Sequence, residues 1–521
     1  MPISYAAAKL CDVSTLAKRI RFIETLIERS LLLIFIGAPL AFGSVYSLVY
    51  GGIQMLALFI LLLYWVHQCL VRFYFKNRAA SGEQNINTEQ WFLTYRFHTF
   101  LSRYPFVIPF LLWVGLVVVQ MIPLAPEVLS HLPQKTFELY ATVFGMDHFE
   151  WQTLSLSSFD SWRALTQVVA CSILFYLVVT YTPVSFWLEP HPHNEIWNAL
   201  VKKVPSGDSF SNRLLLAATL AVGFEAVYAL IEYMTGNQHL YFFRRSAMQS
   251  GAAGTFVNRN HLANYLVLFL PLFFSWFIFL LRSPNQSEYQ VHSFRGQKTL
   301  FAVILIAMVL AVVASHSRMA MFSGILAVVL LGLTYLFLEP SKKAIGLLLV
   351  LLITAVFFLI YLDPGFSLFQ SRLSFFVEGR ETVSRFQVWR DSIEIVRDFP
   401  WIGTGLETFQ FIFPKYSSVP ITSHFTYAHS DWLQLLVETG VLGLLFIVVT
   451  IFWFLMIYVW RIRLLHPAIR PVGIGILISL IAFMIHSSAE FNFHIPANAY
   501  SFAILAGMAV RLVDREGKAI R

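Results

Sequence analysis

His429, Asp431 and Glu438 lie close together in FTYAHSDWLQLLVETG, Phe425 to Gly440, where a polar stretch runs into a long apolar one. An imidazole takes up a proton near neutral pH, so a histidine at such a junction suits general-base work. The alternative is a histidine that only bonds backbone where a loop meets a span. Asp431 and Gln434 have the spacing of a capping box, which predicts a helix beginning near Asp431 with His429 just before it. Glu438 falls inside the apolar run, where a carboxylate is costly, and is read as ordering its neighbours.

Positive charge near the same boundary comes from arginines. Arg318, in ASHSRMAMF, stands between two apolar runs with hardly any loop. A charge that close to hydrocarbon marks a candidate site, unless it only snorkels to headgroups. Arg244 and Arg245 form an adjacent pair ahead of a glycine-rich turn, in YFFRRSAMQSGAAGTFVNRNHLANYL. Planar guanidinium groups grip phosphate oxygens two at a time, so the pair with Arg318 would suit a diphosphate or an anionic headgroup. Asn258, Arg259, Asn260 and His261 read as the cap of the next span, with Asn260 as the N-cap.

These residues must be held by membrane-spanning helices. The 521-residue chain is 57% hydrophobic and 13% charged, with 50 Phe, far from a soluble composition. About twelve stretches are long and apolar enough to span: roughly 30–49, 50–71, 105–124, 162–181, 213–232, 261–281, 299–315, 319–338, 345–362, 437–460, 472–489 and 497–513. With both ends cytoplasmic, most of the 37 basic residues fall inside, as the positive-inside bias requires. The net charge of +8 therefore reports topology, and no basic stripe interleaved with aromatics points to nucleic acid. The expected organisation is an amphipathic cytoplasmic segment, 1–29, spans one to nine over 30–362, a large helical outer loop, 363–436, the last three spans over 437–513, and a tail, 514–521. No cleaved signal is expected. Cys11, Cys69 and Cys171 provide no disulfide framework for the outer loops.

The long loop is the place to expect function. In it Phe386, Trp389, Ile393 and Val396 recur at helical spacing, which predicts an amphipathic helix over the membrane domain, with Arg385, Arg390 and Arg397 on a solvated face. His191 and His193 have metal-like spacing without a convergent partner, and the outer loops lack the acidic pairs of metal-dependent sugar transfer, so no metal is expected. A transporter would place ionisable residues near the bilayer midplane. Here they gather at the outer rim.

GTFVNRNHLANYL, SHSRMA, FPWIGTGLETFQFIFPKY, YAHSDWLQLLVETGVLG and HSSAEFNFHIPANA follow one another over roughly Leu216 to Leu512. In this order they resemble the bacterial O-antigen ligase family, which includes related polymerases and protein-glycosylating transferases. The resemblance implies an all-α, polytopic, GT-C-like glycosyltransferase of about twelve spans in the bacterial inner membrane, with its site facing the periplasm. The implied reaction moves a glycan from undecaprenyl diphosphate to lipid A core without metal or other cofactor. A growing polymer or a protein is the alternative acceptor. It also implies His429 as the catalytic base, Arg318 as the arginine after the seventh span, and Arg244 or Arg245, with Arg259 as a third candidate, on the diphosphate. The family commonly has Asn where Ser430 or Asp431 stands, and Asp where Glu490 stands; both differences bear on the acceptor side.

Overall fold

The computed structural model describes residues 2–80, 97–131, 134–145, 151–183, 209–236, 239–241, 243–244, 251–282, 288–338, 385–418, 425–466 and 469–519. Apolar sequence of span length becomes helix because a backbone in hydrocarbon must satisfy its own hydrogen bonds. The chain opens with α1 (Pro2–Leu40) and α2 (Ser47–Ala80), then α3 (Phe97–Arg103), α4 (Val107–Gln120), α5 (Pro126–His131), α6 (Gln134–Phe144) and α7 (Ser158–Thr180). Next come α8 (Ser209–Thr235), a two-residue hairpin of β1 (His239–Leu240) with β2 (Phe243–Arg244), α9 (Arg259–Arg282), α10 (Glu288–Ala314) and α11 (Arg318–Leu338). Beyond them lie α12 (Arg385–Asp398), α13 (Phe409–Tyr416), α14 (Asp431–Ile462), α15 (Arg470–His486) and α16 (Pro496–Ala519).

Among the described residues seven helices are long and apolar enough to cross a membrane, and Val107–Gln120, Lys298–Ala314 and Arg470–His486 are shorter apolar helices. This is a multi-pass membrane protein with an all-helical bundle. The expected span 345–362 lies outside the described residues. The first expected span differs in its end: α1 runs unbroken through positions 29 and 30 and stops at Leu40, and a short 3-10 turn at Phe42–Ser44 reverses the chain before α2. Gly43 takes a left-handed φ of 64° there. Continuous apolarity across 30–71 hides that turn from a hydropathy reading.

The core is built around α9, which packs along α15, α10 and α11. Close approach is possible because a Cβ on Gly475 of α15 would stand 2.7 Å from the Cβ of Ser275 of α9. Small residues at such contacts are the usual means by which membrane helices meet. Pro271 sits inside α9, and the Leu272 N–H next to it donates across to Ser479 Oγ of α15 at 3.2 Å. The amphipathic segment α12 rests on α13 and α14, but its phase differs from the sequence expectation. Val388, Asp391, Ser392 and Ile395 face inward, while Phe386 is 62% and Ile393 48% exposed. Polar groups occupy the buried face because they are satisfied there: Ser392 Oγ donates to Val388 O and Asp391 accepts from Ser418. A hydrophobicity count cannot see that compensation.

Candidate active site

The polypeptide enters α14 through an extended loop, Phe425–Ser430. Ser430 is the N-cap; its Oγ accepts the Leu433 N–H at 3.4 Å. The predicted helix start is therefore correct, but Asp431 is not the capping residue. Gln434 instead reaches back with Oε1 to the Ala428 N–H at 3.1 Å, and Asp431 is left to bond His494 Nδ1 at 2.9 Å and the Phe493 N–H at 3.1 Å. Trp389 Nε1 donates to Ala428 O at 3.0 Å, tying α12 to the same loop. His429 is held at φ 53°, a left-handed conformation uncommon for residues with a Cβ and found where surrounding contacts impose it.

Nδ1 of His429 lies 3.7 Å from Glu490 Oε2, within ion-pair range and longer than a hydrogen bond; the imidazole is 30% exposed and the carboxylate 1%. Phe491 meets the imidazole edge-on at 5.2 Å. The ring makes no hydrogen bond to backbone among the described residues, unlike a merely structural junction histidine. Glu490 is fixed from the other side. Arg385 Nη2 and Asn260 Nδ2 each donate to its Oε1 at 2.5 Å, and Arg385 Nη1 donates to Ala489 O at 2.8 Å. Burial works against charge on Glu490, yet the facing His429 and the Arg385 guanidinium overcome it and hold the carboxyl at about 2. A carboxylate facing Nδ1 favours the tautomer with the proton on Nδ1, which leaves the Nε2 lone pair for a substrate proton.

A pH dependence follows. The folded carboxyl titrates below its unfolded value, so its contribution to stability is complete above about pH 4.5 and is lost as pH falls toward 2. Thermal unfolding in detergent is expected to shift downward over that window, and in Arg385→Ala the decline is expected to be smaller, because without the guanidinium the folded carboxyl moves back toward its unfolded value. An Arg385→Ala profile superimposable on wild type would mean that Arg385 does not hold the carboxylate.

Arg385 is thus the exception among the three helix arginines. Arg390 is exposed, and Arg397 pairs with Glu394 on the surface. Asn260 is not the N-cap of α9 either: Asn258 Oδ1 accepts the Asn260 N–H at 2.9 Å, which frees the Asn260 side chain for Glu490. His261, next along, touches Asn492 Oδ1 at 3.5 Å and Phe491 at 4.7 Å between ring centroids.

Arg318 begins α11, exposed, after a tight turn in which His316 has φ 53°. The turn is joined to the histidine cluster through one segment. Ala252 N donates to Ala314 O at 2.8 Å, and residues 252–260 run from there to Asn260 on Glu490. Arg318 makes no hydrogen bond or ion pair among the described residues. Arg259 is the first residue of α9, and Arg244 ends the hairpin, its backbone paired with His239. Arg245, His191 and His193 lie outside the described residues. The glycine-rich turn is already occupied by carboxylates: Glu232 Oε2 accepts the Ala253 and Gly254 N–H groups at 3.2 and 2.7 Å, and Glu225 Oε2 accepts Thr255 N–H at 3.1 Å. Those amides anchor the turn to α8 and are not presented to a phosphate.

Residues 303–448 match the family model described as O-antigen ligase. Over that stretch, a little over a quarter of its length, the chain is similar to that family. No curated protein matches the chain. The match takes in Arg318, α12 and His429 and stops before Glu490, so His429 and the carboxylate facing it lie on either side of its end.

Glu438, inside the matched stretch, is buried and bonded by its neighbours. Its carboxylate accepts the N–H groups of Glu407 at 2.8 Å and Phe409 at 3.3 Å, and Gln434 Nε2 at 2.9 Å. Glu407, at φ 62°, lies 3.5 Å from His494 Nε2 and 3.8 Å from Arg163. The sequence shows no acidic pair in the outer loops, yet the fold gathers Glu407, Asp431, Glu438 and Glu490 here. Each is already engaged by an imidazole, a guanidinium or a backbone N–H.

Proposed function

We propose that this protein transfers a glycan from undecaprenyl diphosphate to lipid A core at the periplasmic face of the bacterial inner membrane. The observation that carries the reading is the partly exposed His429 facing a buried, ionised Glu490, within a chain similar over residues 303–448 to the O-antigen ligase family. In the proposed step, Nε2 of His429 takes the proton of the acceptor hydroxyl as that oxygen attacks the anomeric carbon. The bond from that carbon to the diphosphate oxygen breaks, and undecaprenyl diphosphate departs with the bonding pair. Configuration inverts. Arg318, with Arg244, Arg245 or Arg259, meets the charge that develops on the leaving diphosphate. Glu490 stabilises the imidazolium, in the way a buried carboxylate orients a catalytic histidine.

The test is the glycolipid ladder of a deletion strain, with the carrier-linked pool measured alongside. Loss of the whole ladder with accumulation of long carrier-linked polymer is expected. Single repeats still reaching the core, with only long chains lost, would make the protein a polymerase. An unchanged ladder would move the acceptor to protein or another polysaccharide.

A further inference from the structure

A further imidazole, His494, lies close to the His429–Glu490 pair, and neither the sequence reading nor the proposed step uses it. His494 comes from the 3-10 turn Asn492–His494 between α15 and α16. It touches three separate parts of the site. Nδ1 meets Asp431 Oδ1 of α14 at 2.9 Å. Nε2 faces Glu407 Oε2, from the loop before α13, at 3.5 Å. The ring packs on Tyr427 of the His429 loop at 4.9 Å, and Tyr427 is stacked in turn on Phe491 at 4.4 Å.

We propose that His494 is a positioning residue: its imidazolium bridges Asp431 and Glu407 and so keeps the Phe425–Ser430 loop in the conformation that presents His429. This rests on the reading of His429 as the base. The left-handed backbone at His429 is a strained conformation for a residue with a Cβ, so something must impose it. Asp431 is the link, because its N–H is shared between Ser487 O and Glu490 O at 2.9 and 3.1 Å while its carboxylate is held by His494. Glu407 is the second, since its own backbone is left-handed and fastened to Glu438.

The bridge needs a proton on both ring nitrogens. Burial opposes that charge, but the Asp431 hydrogen bond and the charges of Glu407, Asp431 and Glu438 raise His494 to about 9. The groups facing it are Asp431, Gln434 and Glu438 from α14, Glu407 with Arg163 behind it, and Tyr427. Gln434 Nε2 stands 3.2 Å from Nε2 of His494. Loss of the proton would let Nε2 accept from Gln434 and release Glu407. The folded state holds this proton more tightly than the unfolded one, so the bridge is complete below about pH 6.5 and is lost as pH rises through about 9.

The test measures transfer by the full-length protein in proteoliposomes from pH 6 to 10, with an undecaprenyl diphosphate-linked glycan and a lipid A core acceptor. Wild type is expected to lose kcat, at unchanged KM, on an alkaline limb near 9. His494→Gln should lower kcat about 10- to 100-fold at pH 7, as misplacement of a reacting group does, and should remove the limb. Hydrogen exchange of residues 425–430 gives a readout independent of activity: protection is expected to fall with the same limb in wild type and to be low at pH 7 in His494→Gln. A His494→Gln protein with wild-type kcat per folded molecule, the limb intact and the loop protected overturns the proposal. Transfer that survives His429→Ala while the exchange limb follows His494 would instead defeat the base assignment alone.

Discussion

His429→Ala is expected to lower glycan transfer by about three orders of magnitude while leaving the thermal unfolding temperature within a few degrees of wild type. General-base catalysis contributes about 10²- to 10⁴-fold, and no neighbouring group can replace it. Of the other imidazoles near Glu490, His261 and His486 are buried, His261 facing Asn492, and His494 is held by carboxylates. Stability should change little because His429 is partly exposed and its ring forms no hydrogen bond among the described residues. Glu490 keeps Arg385 and Asn260 in the variant, so no buried charge is stranded. The companion Glu490→Gln leaves Nε2 in place but removes the charge facing Nδ1, and is expected to cost about 10- to 100-fold, less than loss of the base. The check is a single-turnover assay with carrier-linked donor and purified acceptor. A His429→Ala protein that transfers at the wild-type rate would remove His429 from the mechanism.

How much of this was legible beforehand depends on the range of the interactions involved. Local ones were. The apolar runs marked most of the helices, the polar-to-apolar junction located His429, and the start of α14 followed from the residues around Asp431. Cap identities came out one or two positions away, at Ser430 and Asn258, because several adjacent residues could serve and tertiary partners decided which side chain was free. The carboxylate facing His429 was not legible from residue patterns. Arg385 and Glu490 are 105 positions apart, and Asn260 and Glu490 are 230 apart, with no periodicity to connect them. Resemblance pointed to position 490 only as a departure, Glu for Asp. Arg385 was indistinguishable in sequence from Arg390 and Arg397, although it sits at the first turn of α12, where a long side chain can leave the helix surface.

The largest structural effect is expected away from the titratable groups, at Gly440. This residue breaks α14 with φ 64° and ψ −170°, a region open essentially to glycine alone. The helical hydrogen bonds lost at the break are replaced by the 400–405 loop: Val441 N donates to Pro400 O at 2.8 Å, Leu442 N to Trp401 O at 3.1 Å, Thr404 N to Val437 O at 3.1 Å and Gly405 N to Glu438 O at 2.9 Å. Gln120 of α4 closes the joint, with Nε2 donating to Ile402 O at 2.5 Å and to Glu438 O at 2.9 Å. A Cβ at 440 would stand 2.5 Å from Ile402 N and closer still to the Trp401 carbonyl, which are backbone atoms that cannot rotate away. Gly440→Ala therefore combines conformational strain with a clash that must open this joint. Its cost is expected to exceed about 4 kcal/mol, the range reached only when such special backbone positions are violated. Gly51→Ala and Gly52→Ala are the controls, since a Cβ at either meets nothing within 4 Å in the second turn of α2 and alanine favours helix by about 1 kcal/mol. The yield of monodisperse protein and its unfolding temperature separate the cases. A Gly440→Ala protein as stable as the two controls would show that the break is not required, and with it would go the account of how Glu438, Glu407 and the His429 loop are held in register.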